Sequence, residues 1–324
     1  MSTTQWRPTA SIEHLRFRAG VLASVRAFFE QRHVLEVETP VLSHCAVSDP
    51  FIDSIEALYA THEGAEPDRL FLQTSPEYAM KRLLAAGSGA IYQMGKAFRN
   101  SEAGRRHNPE FTMLEWYRPG FDDNALMDEV EALVVPILSI SAIERMTYAQ
   151  AFQYYLEIDP FEASLETLIA LTRQHMDIEL QDEDRDTWLN LLMSHVIEPR
   201  MKDRQALFVV EYPASQAALA KVRPDAQGRL VAARFELFVQ GMELANGYHE
   251  LTDANEQKQR LLKDQQSRAT LALPQRPLEM RLVSALEAGM PECAGVALGI
   301  DRLVMLALQA EHINDVISFP LTRA

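Results

Sequence analysis

Apolar residues recur at helical spacing near the start of the chain. Ile12, Leu15, Ala19, Leu22, Val25 and Phe29 fall on one face, and Ser11 stands where a hydroxyl can accept from the first backbone N–H groups. The spacing predicts a helix from Ser11 to near His33. Val34 to Thr39 then alternates apolar and acidic residues and stops at Pro40, which reads as a half-exposed strand closed by a residue that cannot extend a ladder. Further strands are expected over 69–74, 90–99 and 111–117, with an amphipathic helix over 76–86. The last two strands form a hairpin whose polar tip, Asn100 to Asn108, is longer than a turn requires and suits a functional loop.

From 122 to 206 the pattern becomes helical, with apolar periodicity over 126–138, 162–176 and 188–196 separated by acidic loops such as Asp182-Glu183-Asp184. We read this stretch as a helical insert on a main sheet. Strand patterns return over 206–212 and 234–244, followed by a charged helix over 255–270 and an apolar one over 301–308. Without a repeat or a low-complexity linker, a single domain over 1–324 carrying the insert is expected.

At 47% hydrophobic and 8% aromatic, 324 residues can supply a full core, which excludes disorder as the overall state. Lys plus Arg number 31 against 46 Asp plus Glu, a net charge of -15, so the surface as a whole should repel a polyanion. A local basic patch is still compatible with a phosphate-rich ligand. Cys45 and Cys293 make neither a disulfide framework nor a metal set. The N-terminal residues lack a signal-peptide pattern, and the apolar stretch 296–308 is interrupted by Asp301 and Arg302. A soluble cytoplasmic protein with no membrane partner is expected.

Against this acidic background three segments concentrate chemistry. Phe98 to Phe111 holds Arg99, Arg105, Arg106, His107, Asn100 and Asn108, a set suited to polyphosphate. Arg99 can answer charge on a phosphoryl oxygen with a planar fork of donors, and Phe111 can stack on a base. Glu236, Glu243 and Glu250 recur every seven residues among apolar and small neighbours, as carboxylates that answer cations do; two can hold Mg2+ and the third an ammonium group. In Ala294 to Leu303 a small-residue strand passes through Gly299 into a helix whose first turn carries Asp301 and Arg302. Taken singly, each has an ordinary alternative: a solvated loop, a strand pair with exposed glutamates, a glycine turn.

Together, and in this order, they resemble the three signature motifs of class II aminoacyl-tRNA synthetases, the first being the helix and strand that end at Pro40. Thr74-Ser75-Pro76-Glu77, His107 to Thr112, Glu115-Trp116-Tyr117 and Asn246 to Leu251 are similar to the lysine branch. The resemblance covers about residues 11 to 310. It implies an α+β fold, an antiparallel sheet flanked by helices, and ATP-dependent formation of an aminoacyl-adenylate with Mg2+. It further implies Arg99 on the α-phosphate and substrate carboxylate, Arg302 at the far end of a bent triphosphate, and Phe111 on adenine. His107, Asn108, Asn100, Ser101, Glu243, Leu244 and Gly299 complete the nucleotide set, and Glu236 with Glu243 holds the metal. Ser75, Glu77, Glu115, Tyr117, Asn246, Tyr248, Glu250 and Ala297 surround the amino acid. Carboxylates facing a dication make physical sense, since two ammonium groups must leave water.

Lysyl-tRNA synthetases carry an anticodon-binding barrel of roughly a hundred residues or more before the first motif. Only the short segment before Ser11 precedes it here. That resembles the synthetase-like group that passes lysine or beta-lysine to a lysine side chain of elongation factor P, and it implies elongation factor P as partner, a homodimer, and no stable tRNA binding. A stand-alone synthetase for tRNA or a small amine and a non-catalytic sensing module are the alternatives. Two departures stand out. Ala297 replaces a glycine, a methyl able to shift selectivity by about 1–3 kcal/mol. Ser101 replaces the glutamate that reads adenine, Glu102 lying one residue late; a lost charged partner is worth roughly 1.5–3 kcal/mol.

Overall fold

Ser11 caps the first helix as its position suggests: its hydroxyl accepts from His14 N at 3.1 Å, and α1 runs Ile12–Glu30. The inner face is Val21, Val25 and Phe29; Ile12, at its start, is exposed. The computed structural model describes residues 6–324, and the chain divides into two units, Met1–Phe121 with Leu251–Ala324, and Asp122–Glu250.

In the first unit α1 is followed by β1 (Leu35–Glu36), β2 (Leu42–Ser43), β3 (Glu56–Tyr59), β4 (Asp68–Leu72), α2 (Glu77–Ala85), β5 (Ile91–Phe98) and β6 (Glu110–Pro119). β5 and β6 pair antiparallel, as the hairpin reading requires. Of the expected strand 34–39 only two residues pair, parallel to β5. α1 docks on the sheet through Phe29, whose ring stacks on Tyr92 at 4.3 Å and meets Trp116 edge-on at 5.4 Å. β2, β4 and β3 form a small antiparallel sheet.

The second unit opens with α3 (Asp123–Leu138), capped by Asp122, and β7 (Glu144–Thr147). Then come α4 (Tyr148–Leu156), α5 (Leu165–His175) and α6 (Arg185–Leu192), the last running through a wide turn into the short α7 (Glu198–Arg200). β7 and α4 escape the apolar pattern, yet their sequence signal is present: Thr147 and Gln150 form a reciprocal capping box. The strands are β8 (Ala206–Pro213), β9 (Val222–Pro224), β10 (Leu230–Val239) and β11 (Met242–His249), with β8, β10 and β11 antiparallel and β7 parallel to β8. The stretch 234–244, expected as one strand, is a hairpin. Gln240 (φ 51°) and Gly241 (φ 70°) are both left-handed, as a tight hairpin turn demands. A Cβ on Gly241 would also meet the Glu198 carbonyl oxygen at 2.6 Å. The core of this unit gathers Tyr148, Phe152, Trp188, Leu192 and Val209.

The chain then completes the first unit with α8 (Ala254–Thr270), α9 (Met280–Gly289), β12 (Cys293–Gly299), antiparallel to β6, and α10 (Ile300–Leu308). α9 packs Leu282 and Leu286, with Met290 just past its end, against Met80 and Leu84 of α2 and Tyr117 of β6. Antiparallel strands covered by helices are the expected α+β architecture. Among the described residues no helix is long and apolar enough to cross a membrane.

Candidate active site

The hairpin β5–β6 carries the first group of site residues. Arg99 follows β5 directly, and its N–H donates to the Pro109 carbonyl at 2.9 Å, closing the base of the loop. Its guanidinium lies 5.3 Å from the Phe111 ring centroid and 3.7 Å from Glu102. Arg99 Nε is buried and makes no hydrogen bond. A buried donor on an arginine calls for an acceptor, and a phosphate or carboxylate oxygen is the natural one. Ser101 is exposed with φ 61°, and the turn it makes brings Glu102, rather than Ser101, back to Arg99.

Arg302 is placed by its neighbour. Asp301, 2% exposed, accepts from Thr112 N at 2.7 Å and pairs with Arg18 at 2.6 Å, which pins the start of α10 to β6. Arg302 Nη2 then donates to His107 Nε2 at 2.6 Å, so that ring carries its proton on Nδ1. Arg99 with Phe111 and Arg302 with His107 are thus brought together as pairs. Gly299, at φ -77°, is not required by its backbone, and a Cβ there would make only ordinary contacts with Arg302.

Two nucleotide candidates also bond to groups of the protein. Asn108 donates to the Glu110 carbonyl at 2.6 Å and accepts from Leu321 N at 3.1 Å, while Asn100 faces Asp53. They hold the loop. Its tip is held as well: Arg105 donates to the Glu311 carbonyl at 2.8 Å, and the Arg105 carbonyl accepts from Ile313 N at 2.9 Å.

Of the amino-acid candidates in this unit, Glu115 is 2% exposed and accepts from the Tyr117 hydroxyl at 2.6 Å. Ala297 pairs directly opposite Glu115 across the β6–β12 ladder, so its methyl shares the face of that carboxylate. Glu77 opens α2, where Ser75 Oγ accepts from its N–H at 3.4 Å, and pairs with Lys81 at 2.6 Å. Part of its charge is already answered.

The second unit carries the remaining group on the β10–β11 hairpin, where Glu236 pairs with Asn246 in register. Glu236 forms a short ion pair with Arg234, accepts from the Tyr212 hydroxyl at 2.7 Å and from Asn246 Nδ2 at 3.1 Å. Burial raises its carboxyl, and the charge of Glu243 adds to this, outweighing the pull of Arg234. Arg234 also lies 4.6 Å from the Tyr212 ring centroid and 6.0 Å from that of Tyr248. Glu250 is 1% exposed, and Leu244 is buried. Sequence reasoning passed over Arg234 and Tyr212. Arg234 was findable, since it stands two residues before Glu236 and therefore on the same strand face.

Gly247 is indispensable to this hairpin: a Cβ there would lie 2.3 Å from Phe235 Cζ and 2.7 Å from Cε1. Phe235 is fully buried and meets Phe208 edge-on at 5.5 Å, so it has nowhere to go. Gly247→Ala is expected to destabilise the protein by about 1–3 kcal/mol and to disturb Asn246 and Tyr248. Thermal unfolding with a lysine-binding titration checks both effects.

The sequence profile of the family described as "tRNA synthetases class II (D, K and N)" matches residues 2–323. The chain is 52% identical to the "Elongation factor P--(R)-beta-lysine ligase" of Vibrio cholerae serotype O1, over 100% of both chains. Proteins of the same name from Photorhabdus laumondii subsp. laumondii and Haemophilus influenzae are 51% and 50% identical, over 99% of both chains in the first case and 98% in the second.

Proposed function

The chain belongs to the class II tRNA synthetases of the D, K and N type, and from this we propose that it is an ATP-dependent ligase acting on elongation factor P. It activates lysine or (R)-beta-lysine as an adenylate and transfers it to a lysine side chain of that protein. The observation that carries the acceptor is the end-to-end match, at about half of all positions, to ligases named for it.

The substrate carboxylate attacks the α-phosphorus of ATP, the bond to the β-phosphate breaks, and pyrophosphate leaves. Little covalent help is needed, so positioning and charge carry the step. ATP fits the buried free donor of Arg99. That guanidinium draws the α-phosphate and the attacking carboxylate together, Phe111 supports adenine, and Arg302 with His107 takes the outer phosphates.

Mg2+ fits the two glutamates of the β10–β11 hairpin. It needs only one or two carboxylates besides phosphate and water, and Glu243 already acts on Glu236 as a like charge would. Arg234, Tyr212 and Asn246 use three of roughly four lone-pair sites on Glu236, which makes Glu243 the principal ligand. When bound, the ion neutralises phosphate charge.

For the amino acid, each unit has its own candidates: Ser75, Glu77, Glu115 and Tyr117 in the first, and Asn246, Tyr248 and Glu250 in the second. The Ala297 methyl, on the face of Glu115, favours an amine displaced along the chain, as in (R)-beta-lysine. A homodimer through α1 and β1 is supported by the exposed Ile12, Phe17 and Leu35.

Incubating the protein with ATP, labelled (R)-beta-lysine or lysine, and either purified elongation factor P or tRNA tests the assignment. Label on elongation factor P, with beta-lysine preferred, is expected; label on tRNA alone would overturn it.

A further inference from the structure

Asn100, the residue after Arg99, is gripped from behind. Its N–H donates to the Asp53 carbonyl at 2.9 Å, its Nδ2 to Asp53 Oδ2 at 2.9 Å, and its Oδ1 accepts from Ser101 N at 3.0 Å. Asp53 is in turn the meeting point of two arginines. Arg276 donates to Oδ1 at 2.8 Å, and Arg268 stands 3.6 Å from the same oxygen.

Both arginines are buried and fixed by other bonds. Arg276 pairs also with Glu56 and lies 5.2 Å from the Phe71 ring centroid. Arg268 donates to the Pro274 carbonyl at 2.9 Å and to the Asp49 carbonyl at 3.0 Å. The segment is tied to α8 once more where Ser48 Oγ donates to Asp264 at 2.6 Å. Burial alone would raise the Asp53 carboxyl, but the Asn100 amide and the Arg276 guanidinium hold it below the usual carboxylate range.

The Asp53 side chain is 36% exposed, so as an ion pair it adds little to stability. Its geometric effect is larger. The direction of Arg99 depends on the backbone at its own and the following residue; that backbone is bonded to the Asp53 main-chain carbonyl, and the Asp53 carboxylate fixes the Asn100 side chain beside it, the bond that a side-chain substitution removes. A displacement of about 1 Å at a reacting group costs on the order of a hundredfold in rate.

We propose that Asp53 is a positioning residue for the activation step: braced by Arg276 and Arg268, it sets the backbone at Asn100 and thereby aims the Arg99 guanidinium at the α-phosphate. The inference rests on the reading of Arg99 as the phosphate-binding group and adds a residue that touches no substrate.

The test is lysine-dependent ATP–pyrophosphate exchange, run on the full chain with Asp53→Ala, Asn100→Ala and the double variant. Asp53→Ala is expected to lower kcat/KM for ATP by roughly ten- to a hundredfold, with the KM for lysine nearly unchanged; the Tm should fall less than in Glu236→Ala, because Arg276 keeps Glu56 and Arg268 keeps two backbone carbonyls. Asn100→Ala should behave alike. The double variant should be no worse than the poorer single one, because the two act in series. Asp53→Asn, which keeps an acceptor for Asn100, should recover most of the loss. In the substrate-free protein, deuterium uptake over 99–108 should rise in Asp53→Ala, a readout that needs no turnover. Unchanged uptake, additive losses, or a fall in Tm without a change in kcat/KM for ATP would each overturn the inference. Absence of exchange in the wild-type protein would instead refute the synthetase reading, and the uptake measurement would still decide the role of Asp53.

Discussion

Arg99→Ala is expected to lower kcat/KM for lysine-dependent pyrophosphate exchange by about 10²–10³-fold, or roughly 2.7–4 kcal/mol, the usual cost of removing one preorganised donor from developing charge. The fold should survive, because the guanidinium makes one long ion pair with Glu102 and one ring contact with Phe111 while its Nε donor is unused. Arg99→Lys should restore little of the rate. A lysine ammonium is a point charge and cannot span an α-phosphate and a carboxylate as a planar fork does. Exchange kinetics with circular dichroism of the same samples check the result; retention of more than about a tenth of the wild-type kcat/KM would show that another group bears the charge.

Glu236→Ala is expected to be the costliest single change for stability. It removes the counter-charge of the largely buried Arg234 guanidinium and leaves the Tyr212 hydroxyl and Asn246 amide without their acceptor. Stranding one member of such a pair costs about 3–5 kcal/mol, or roughly 10 °C in Tm at this chain length. Replacing both partners, Arg234→Leu with Glu236→Leu, should recover much of that stability while the exchange activity stays low, since charge burial is then avoided but the carboxylate that holds Asn246 and supports Glu243 is still missing. Thermal unfolding of the three variants separates the roles. An unchanged Tm in Glu236→Ala would mean that the pair contributes no stability.

What could be read along the chain follows from how local each feature is. α1 declares itself because apolar spacing and the capping Ser11 lie within a few residues of one another, α2 through apolar spacing alone, α8 through its run of charged residues, and the β5–β6 hairpin through two strand patterns flanking one polar loop. The β10–β11 turn was hidden because Gln240 takes a left-handed backbone without being glycine, and because the Glu198 carbonyl, which leaves no room for a Cβ on Gly241, lies far off in sequence. In the candidate site, Arg99, Phe111, His107 and Arg302 were named from residue chemistry and resemblance, and they stand in pairs. Asn100 and Asn108 carried the same signal, and their amides also bond to Asp53 and to the Glu110 carbonyl. The Asp53–Arg276 bond joins positions 223 residues apart; no window of sequence contains both ends, and a lone aspartate in a loop announces nothing.

The polar loop between β5 and β6 is bound at Asn100, Arg105 and Asn108 by groups of the same unit. A segment so restrained surrenders its conformational freedom when the protein folds, not when nucleotide arrives. Binding should therefore be favoured by enthalpy with a small entropic penalty, and the heat measured by calorimetry should contain little from loop ordering. Cutting the restraints one at a time would move that ordering into the binding event, so the loop offers a way to trade nucleotide affinity against product release.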